Sequence, residues 1–220
     1  MQTLDPPTTR SRNRTTTKAT FPSSGWLLLK MRVCCGRFWP SGFTFTTRSA
    51  DVVDETLPPE QIRHKEFTQL QQPRELVLAC PAFKSSVNLS RIVRLAGCVA
   101  AEKIIACGSA KIDSTIARDG DHIPIERRRT LLPVLKRLKQ DGYRLVGLEQ
   151  TDHSVCIYDY SFPRRTALVI GHERHGMSEE ELGVVDDLIE IPVFGLPYSY
   201  NVATATTMAV YEYCRQFPTG

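Results

Sequence analysis

From residue 75 onward, short unbroken apolar runs alternate with stretches in which apolar residues recur every three or four positions. Runs of the first kind read as strands buried on both faces, and stretches of the second as amphipathic helices. Five strands are predicted, over 75–80, 103–107, 143–148, 167–170 and 188–191. Pro81 closes the first and Pro192 the last, because proline cannot donate to a ladder. A helix follows the first strand, capped by Ser86 or Asn88, with Leu89, Ile92, Val93, Ala96 and Val99 on its inner face. A second helix over 130–140 presents Leu131, Leu135 and Leu138 and stops at Asp141-Gly142. Ser178 can cap a short helix after the fourth strand. The last helix starts at Ser199 or Asn201 and runs to about Gln216, with Val202, Thr206, Ala209, Val210 and Tyr213 at helical spacing. The charged stretch 60–70, with Ile62, Phe67 and Leu70 apolar, predicts a short helix lying on the domain. The polar stretch 109–129 reads as a solvated loop. Strands alternating with helices predict an α/β domain with a mostly parallel sheet.

Composition divides the chain. Residues 1–50 are rich in Thr, Ser, Arg and Pro, show no apolar periodicity, and hold eight basic residues against Asp5 alone. A disordered basic segment is expected there; a transit peptide, or an unused upstream start with Met31 as the internal one, are the other readings. Residues 51–74 then form a short extension or helix, and 75–220 the folded domain. The whole chain carries +4, so the part after residue 50 is slightly acidic. RNA binding by the domain therefore rests on a local patch, and Arg127-Arg128-Arg129 is the candidate. Trp26-Leu27-Leu28-Leu29 is far too short to span a bilayer, and a cytoplasmic protein with no membrane contact is expected. Seven cysteines, an odd number without a Cys-x-x-Cys pair, point to free thiols in a reducing compartment.

Three stretches carry chemistry. In the first, Asn88 is followed six residues later by Arg94. In the second, an apolar strand runs into Gly171-His172-Glu173-Arg174-His175-Gly176, a carboxylate in a loop bounded by two glycines. The third runs from Ile191-Pro192 through a tight loop to Ser199-Tyr200-Asn201-Val202, a helix start with two small polar side chains. Alone, the third reads as an ordinary strand–turn–helix crossover more readily than as a ligand cradle. In this order and spacing, however, the three resemble the motifs of the SpoU (TrmH-like) branch of the SPOUT RNA methyltransferases. Those motifs are an Asn with an Arg six residues on, a strand with Gly-x-Glu-x-x-Gly, and Ile-Pro followed by Ser-x-Asn-Val. Tyr200 stands where the family usually has Leu, and Ala203 where Ser or His is common. The resemblance covers roughly residues 75–216. It implies the SPOUT fold, an α/β knot whose C-terminal region forms a trefoil; periodicity alone would suggest a doubly wound nucleotide-binding sheet.

The resemblance also implies methyl transfer from S-adenosyl-L-methionine to a ribose 2′-oxygen of RNA by a homodimer. It places Arg94 at the reacting oxygen, with Asn88, Glu173, Ser199 and Asn201 as the other catalytic candidates. The adenosine maps onto Ile170, Gly171, Gly176, Ile191, Val193, Leu196 and Val202. Family mechanisms cast the Arg as a base. A guanidinium almost never loses its proton, so Arg94 reads better as a group that holds phosphate or the developing alkoxide. The strand end Glu149-Gln150-Thr151 resembles the branch acting on tRNA guanosine, which favours tRNA over rRNA. A non-catalytic RNA-binding relative of the same fold is the alternative, and intact Arg94, Glu173, Ser199 and Asn201 speak against it. A plain dinucleotide-binding protein is disfavoured because Cys80-Pro81-Ala82-Phe83 stands where a Gly-x-Gly-x-x-Gly turn would be needed. His172 and His175 flank Glu173, but no matched Cys or His set completes a ligand count, so no metal is expected. Both histidines are expected to face solvent or RNA.

Overall fold

Strands without a polar face need cover on both sides, and this decides the architecture. In the computed structural model, which describes residue 61 and residues 65–220, β1 (Leu76–Cys80) and β6 (Thr166–Ile170) are buried at every position. β2 (Lys103–Cys107) and β4 (Arg144–Leu148) are nearly so, whereas β7 (Asp187–Glu190) buries only Ile189 fully. β3 (Ile125–Arg128) and the two-residue β5 (Val155–Cys156) are the edges. The sheet order is β3-β2-β1-β6-β4-β7-β5, and every pairing is parallel.

Successive side chains along a strand face opposite ways, so one sheet feeds two cores. Leu76, Leu78, Leu168 and Ile170 meet α1 (Ser86–Val99) and α5 (Val202–Gln216). Val77, Ala79, Ala167 and Val169 meet α3 (Leu132–Gln140), with Leu182 of the short α4 (Glu179–Leu182) at the margin. Arg74, only 7% exposed, joins the far ends of α1 and α5 by donating to the carbonyls of Val99 and Phe217. Cys80 and Cys107 are buried free thiols, and burial is the main cause that pushes the Cys107 thiol up to about 11.

The helix ends follow capping chemistry. Ser85, rather than Ser86 or Asn88, caps α1 by accepting from the Asn88 amide. A cap reaches the amide two or three positions on, which makes Asn88 the third helical residue and frees its side chain to turn inward. Asn201, not Ser199, caps α5 by accepting from the Ala203 amide. Ser178 and Glu181 form a reciprocal capping box on α4. α3 begins two residues later than the pattern suggests and ends where Gly142 adopts φ +84.

Three stretches differ from the sequence reading. Residues 109–129 are not one loop: α2 (Ser114–Ala117), capped by Asp113, is followed by a 3-10 turn and then by β3. β3 escapes the pattern because an edge strand tolerates charge on both faces; Glu126 there accepts from both Lys103 and Arg128. β5 is too short to leave a periodicity. Residue 61 and residues 65–70 form no helix, and Phe67 is 87% exposed. Beyond them, the amides of Gln71 and Gln72 donate to the Thr219 carbonyl. The expectations for residues 1–60 and 62–64 lie outside the described residues.

Candidate active site

In a parallel sheet the loops leaving neighbouring strands gather at one end, and a crevice forms where their paths diverge. Here the loops after β4, β6 and β7 enclose a cleft of about 250 Å³. The β6 loop contributes Ile170, Gly171, His172, Glu173, Arg174 and Gly176. The segment after β7 contributes Ile191, Val193, Ser199 and Tyr200, and α5 contributes Val202 and Ala205. Leu148, Glu149 and Gln150 close it from β4, and Glu190 from the end of β7.

Glu173 links this cleft to the start of α1. Its Oε1 accepts from the amides of Lys84 (2.8 Å) and Ser85 (3.1 Å), two of the donors that precede the helix. Oε2 is buried, lies 3.3 Å from His172 Nε2, and has no partner of hydrogen-bonding geometry among the described residues. Burial opposes the charge on this carboxyl, but the amides of Glu173, Ser85 and Lys84 and the nearby His172 together hold it below the usual carboxylate range. His172 Nδ1 accepts from the Arg174 amide (3.1 Å), which leaves Nε2 as the ring nitrogen toward Glu173. His172 is therefore an inward residue, against the expectation of solvent; its side chain is 16% exposed. His175 stacks on it at 5.1 Å and is exposed.

The first and third stretches meet directly. Asn201 Nδ2 donates to Asn88 Oδ1 (3.2 Å), while Asn201 Oδ1 holds the α5 cap. Both ends of the Asn201 amide are thus fixed by neighbours, and Asn88 is held through its Oδ1. Arg94 stands elsewhere: it is on the exposed face of α1, outside the cleft walls, and makes no hydrogen bond or ion pair among the described residues. Ser199 is an exposed residue of the cleft rim. Of the seven adenosine candidates, Ile170, Gly171, Gly176, Ile191, Val193 and Val202 line the one cleft. Leu196 does not; it is 78% exposed on the loop beside Phe194 and Tyr198.

Glu149, which in the sequence bears only on the choice of RNA, is a further residue of the site. Its Oε2 accepts from the Met177 amide (3.0 Å) and its Oε1 from the Gln150 amide (3.3 Å), tying β4 to the glycine-bounded loop. It also explains both glycines. A Cβ on Gly176 would come within 2.6 Å of Glu149 Oε2, and one on Gly171 would press on the same atom. Gly176 in addition has φ +66, which an L side chain resists. The available signal was position: a carboxylate at the carboxyl end of a buried parallel strand stands where such folds place ligands. The Arg127-Arg128-Arg129 cluster lies at the opposite edge, on and just after β3, with β2 and β1 between it and β6. Arg127 Nη1 donates to the Ala110 carbonyl (2.8 Å), Arg128 pairs with Glu126 (2.8 Å), and Arg129 is exposed. No cluster of three or more His, Cys, Asp or Glu suited to a metal ion occurs among the described residues.

Similarity to known proteins runs through these same elements. The model of the SpoU rRNA Methylase family matches residues 75–211. The tRNA (guanosine(18)-2′-O)-methyltransferase of Aquifex aeolicus (strain VF5) is 31% identical over 160 residues, 70% of this chain and 75% of that protein. Its counterpart in Escherichia coli (strain K12) is 27% identical over 163 residues, 72% of this chain and 71% of that protein. Among solved structures, the A. aeolicus TrmH/SpoU tRNA modifying enzyme superposes with a TM-score of 0.63 at 27% identity, covering 68% of this chain and 78% of that one. The SpoU methyltransferase AviRb from Streptomyces viridochromogenes, in complex with the cofactor AdoMet, gives 0.57 at 27% identity, covering 69% and 64%. The strands, the glycine-bounded loop and the Asn88–Asn201 junction all fall inside the matched region, and the chain belongs to the SpoU methylase family.

Proposed function

We propose that this protein is an S-adenosyl-L-methionine-dependent RNA 2′-O-ribose methyltransferase whose substrate is tRNA, with guanosine as the target. The observation that carries the reading is the convergence of all three motifs on one assembly. The α1 entry donates two amides to Glu173, and Asn88 receives a hydrogen bond from Asn201. The relatives named as guanosine-18 methyltransferases support the choice of tRNA, and rRNA is the second substrate class to test.

The cleft suits the cofactor. Ile170, Ile191, Val193 and Val202 give an apolar wall for a purine, and the bare glycines let backbone approach. Glu149, Glu173 and Glu190 set carboxylates around a ligand that bears sulfonium and ammonium charges. The cofactor, when bound, supplies an electrophilic methyl group. The chain orients the 2′-hydroxyl and manages the charge that develops as its proton leaves. Glu173 is held anionic by three amides, and Asn88 and Asn201 hold each other at the mouth of α5. Arg94, permanently cationic, is assigned to the phosphate or the developing alkoxide.

A homodimer and a C-terminal trefoil belong to the same proposal. Val87, Arg91 and Arg94 on α1 and Thr204, Met208 and Tyr211 on α5 form exposed stripes on two helices packed together, a face suited to a second copy. Insertion of β6 between β1 and β4, with α5 returning to α1, supports the knotted path. Five unpaired cysteines among the described residues fit a reducing compartment such as the cytoplasm; no described helix is long and apolar enough to cross a membrane.

The test is methylation of unmodified tRNA and rRNA with labelled cofactor, followed by mapping of 2′-O-methyl positions. Transfer to a tRNA guanosine supports the proposal. Transfer to rRNA alone changes the substrate. RNA binding without transfer, under saturating cofactor, replaces the enzyme by a non-catalytic relative.

A further inference from the structure

A second open cleft lies at the carboxyl ends of β1 and β2, beside the cofactor cleft and separate from it. Lys84 and Ser86 border it on the α1 side, and Gly108, Ser109 and Lys111 on the side leading to α2. The two walls are pressed together at their base. Gly108 has φ +75, and a Cβ there would stand 2.7 Å from the Ala82 Cβ. β3 is joined to the same rim, because the Gly108 amide donates to the Arg128 carbonyl (3.0 Å) and Arg127 Nη1 to the Ala110 carbonyl (2.8 Å).

Charge in this cleft is not balanced locally, in contrast to the ion pairs on the strands. Lys103 and Arg128 share Glu126, and Arg144 is paired with Asp187. Lys84 and Lys111 are exposed, and their ammonium groups make no ion pair among the described residues. The nearby Asp113 is committed to the amide and hydroxyl of Thr115. Two unpaired lysines flanking a cleft, on a domain that is slightly acidic overall, mark a place for an anion. Lysines of this kind contact phosphate without reading bases.

Building on the RNA methyltransferase reading, we propose that this cleft seats the sugar-phosphate backbone of the RNA substrate, with Lys84 and Lys111 as counter-charges and the strand entering along the Arg127–Arg129 edge. The cleft and the reaction site share one loop: the Lys84 side chain faces the RNA while the amides of Lys84 and Ser85 hold Glu173. Backbone seating therefore fixes the loop that positions the carboxylate.

The test uses the full chain carrying Lys84→Ala and Lys111→Ala together. The dissociation constant for an unmodified tRNA transcript is measured across a salt series, alongside cofactor affinity, melting temperature and single-turnover methylation. Loss of two phosphate contacts lowers the slope of log affinity against log salt by about 1.4–1.8, which is roughly a fortyfold weaker complex near 0.1 M salt. Cofactor affinity and melting temperature stay unchanged, and Lys84→Arg with Lys111→Arg restores RNA binding. Wild-type affinity and slope in the alanine variant, beside a wild type that methylates RNA, overturn the cleft assignment and leave the enzyme reading standing. So does a variant that loses cofactor binding or melts early, because the lysines are then structural. A wild type that binds cofactor but neither binds nor methylates any RNA removes the methyltransferase reading itself.

Discussion

Gly171→Ala isolates one contact of the site. Gly171 lies outside the left-handed region, so an alanine there meets no backbone penalty of the kind that φ +66 imposes at Gly176. What it meets is Glu149 Oε2, inside the 3.0 Å that real Cβ contacts respect. Gly176 Cα is at 3.4 Å, an ordinary contact. The carboxylate must swing away and release the Met177 amide. A hydrogen bond to a charged acceptor contributes about 1.5–3 kcal/mol. Against that loss, replacing Gly by Ala at a compatible backbone position stabilises by about 0.4–1 kcal/mol, through the unfolded chain. The net cost in the wild type is therefore about 1–2 kcal/mol. With Glu149→Ala already in place, the obstruction is gone and the same substitution should become stabilising. Urea denaturation of the four proteins of this double-mutant cycle reads the change of sign directly. Equal costs in the two backgrounds would refute the account, and would mean that something other than Glu149 keeps position 171 bare.

Arg94→Ala should lower single-turnover methylation by roughly a hundredfold to a thousandfold, with cofactor affinity unchanged because Arg94 is not in the cleft wall; wild-type turnover on bulk tRNA and rRNA would remove Arg94 from the reaction. Asn201→Ala should cost about 1 kcal/mol of stability from the lost cap and should also weaken cofactor binding, since α5 enters the cleft at Val202; a titration calorimetry constant equal to the wild type's contradicts this. Glu173→Gln tests the depressed carboxyl. Its folded pKa lies below the ordinary 4.5, so its contribution is present above pH 4.5 and is lost as pH falls through the folded value. Denaturation midpoints should show a wild-type advantage that is constant near neutrality and shrinks below pH 4.5; an advantage that does not depend on pH would show that the side chain acts through shape alone.

The buried strands were legible because they are apolar throughout, and the helices because one face repeats. β2 spans 103–107 as expected from its apolar run Ile104–Cys107, and Leu89, Ile92, Val93 and Ala96 form the inner face of α1 as spaced. What periodicity cannot carry is an element whose partners are polar. β3 holds its place by ladder bonds to β2 and by the Lys103–Glu126–Arg128 group, none of which alternates with hydrophobicity. Caps were legible to within a residue or two, since Ser85, Ser86 and Asn88 all have capping side chains and only the backbone chooses among them. The motif residues could be named from their spacing. Their contacts could not, because Glu173 Oε1 is held by amides 88 and 89 positions away, and amides have no signature in a sequence.

The six-residue interval between Asn88 and Arg94 has a geometric meaning. An α-helix turns about 100° per residue, so six steps leave the two side chains about 120° apart. One helix cannot direct both into the same cleft. Asn88 is turned inward and held by Asn201, and Arg94 is consequently on the open face of α1. Within a single copy, then, Glu173 lines the cleft and Asn201 stands at the start of α5, while the proposed charge-stabilising cation lies outside the cleft walls. A reaction that uses Arg94 needs another surface to be brought against α1. The adjoining stripe of Thr204, Met208 and Tyr211 on α5 gives that face an apolar component suited to protein as well as to RNA. The homodimer and the catalytic assignment of Arg94 are therefore one proposal: Met208→Glu with Tyr211→Glu, which puts two carboxylates on the exposed face of α5, should yield a monomer by sedimentation that still binds cofactor yet fails to methylate. A monomer with undiminished turnover would separate the two and require Arg94 to meet the RNA from within its own chain.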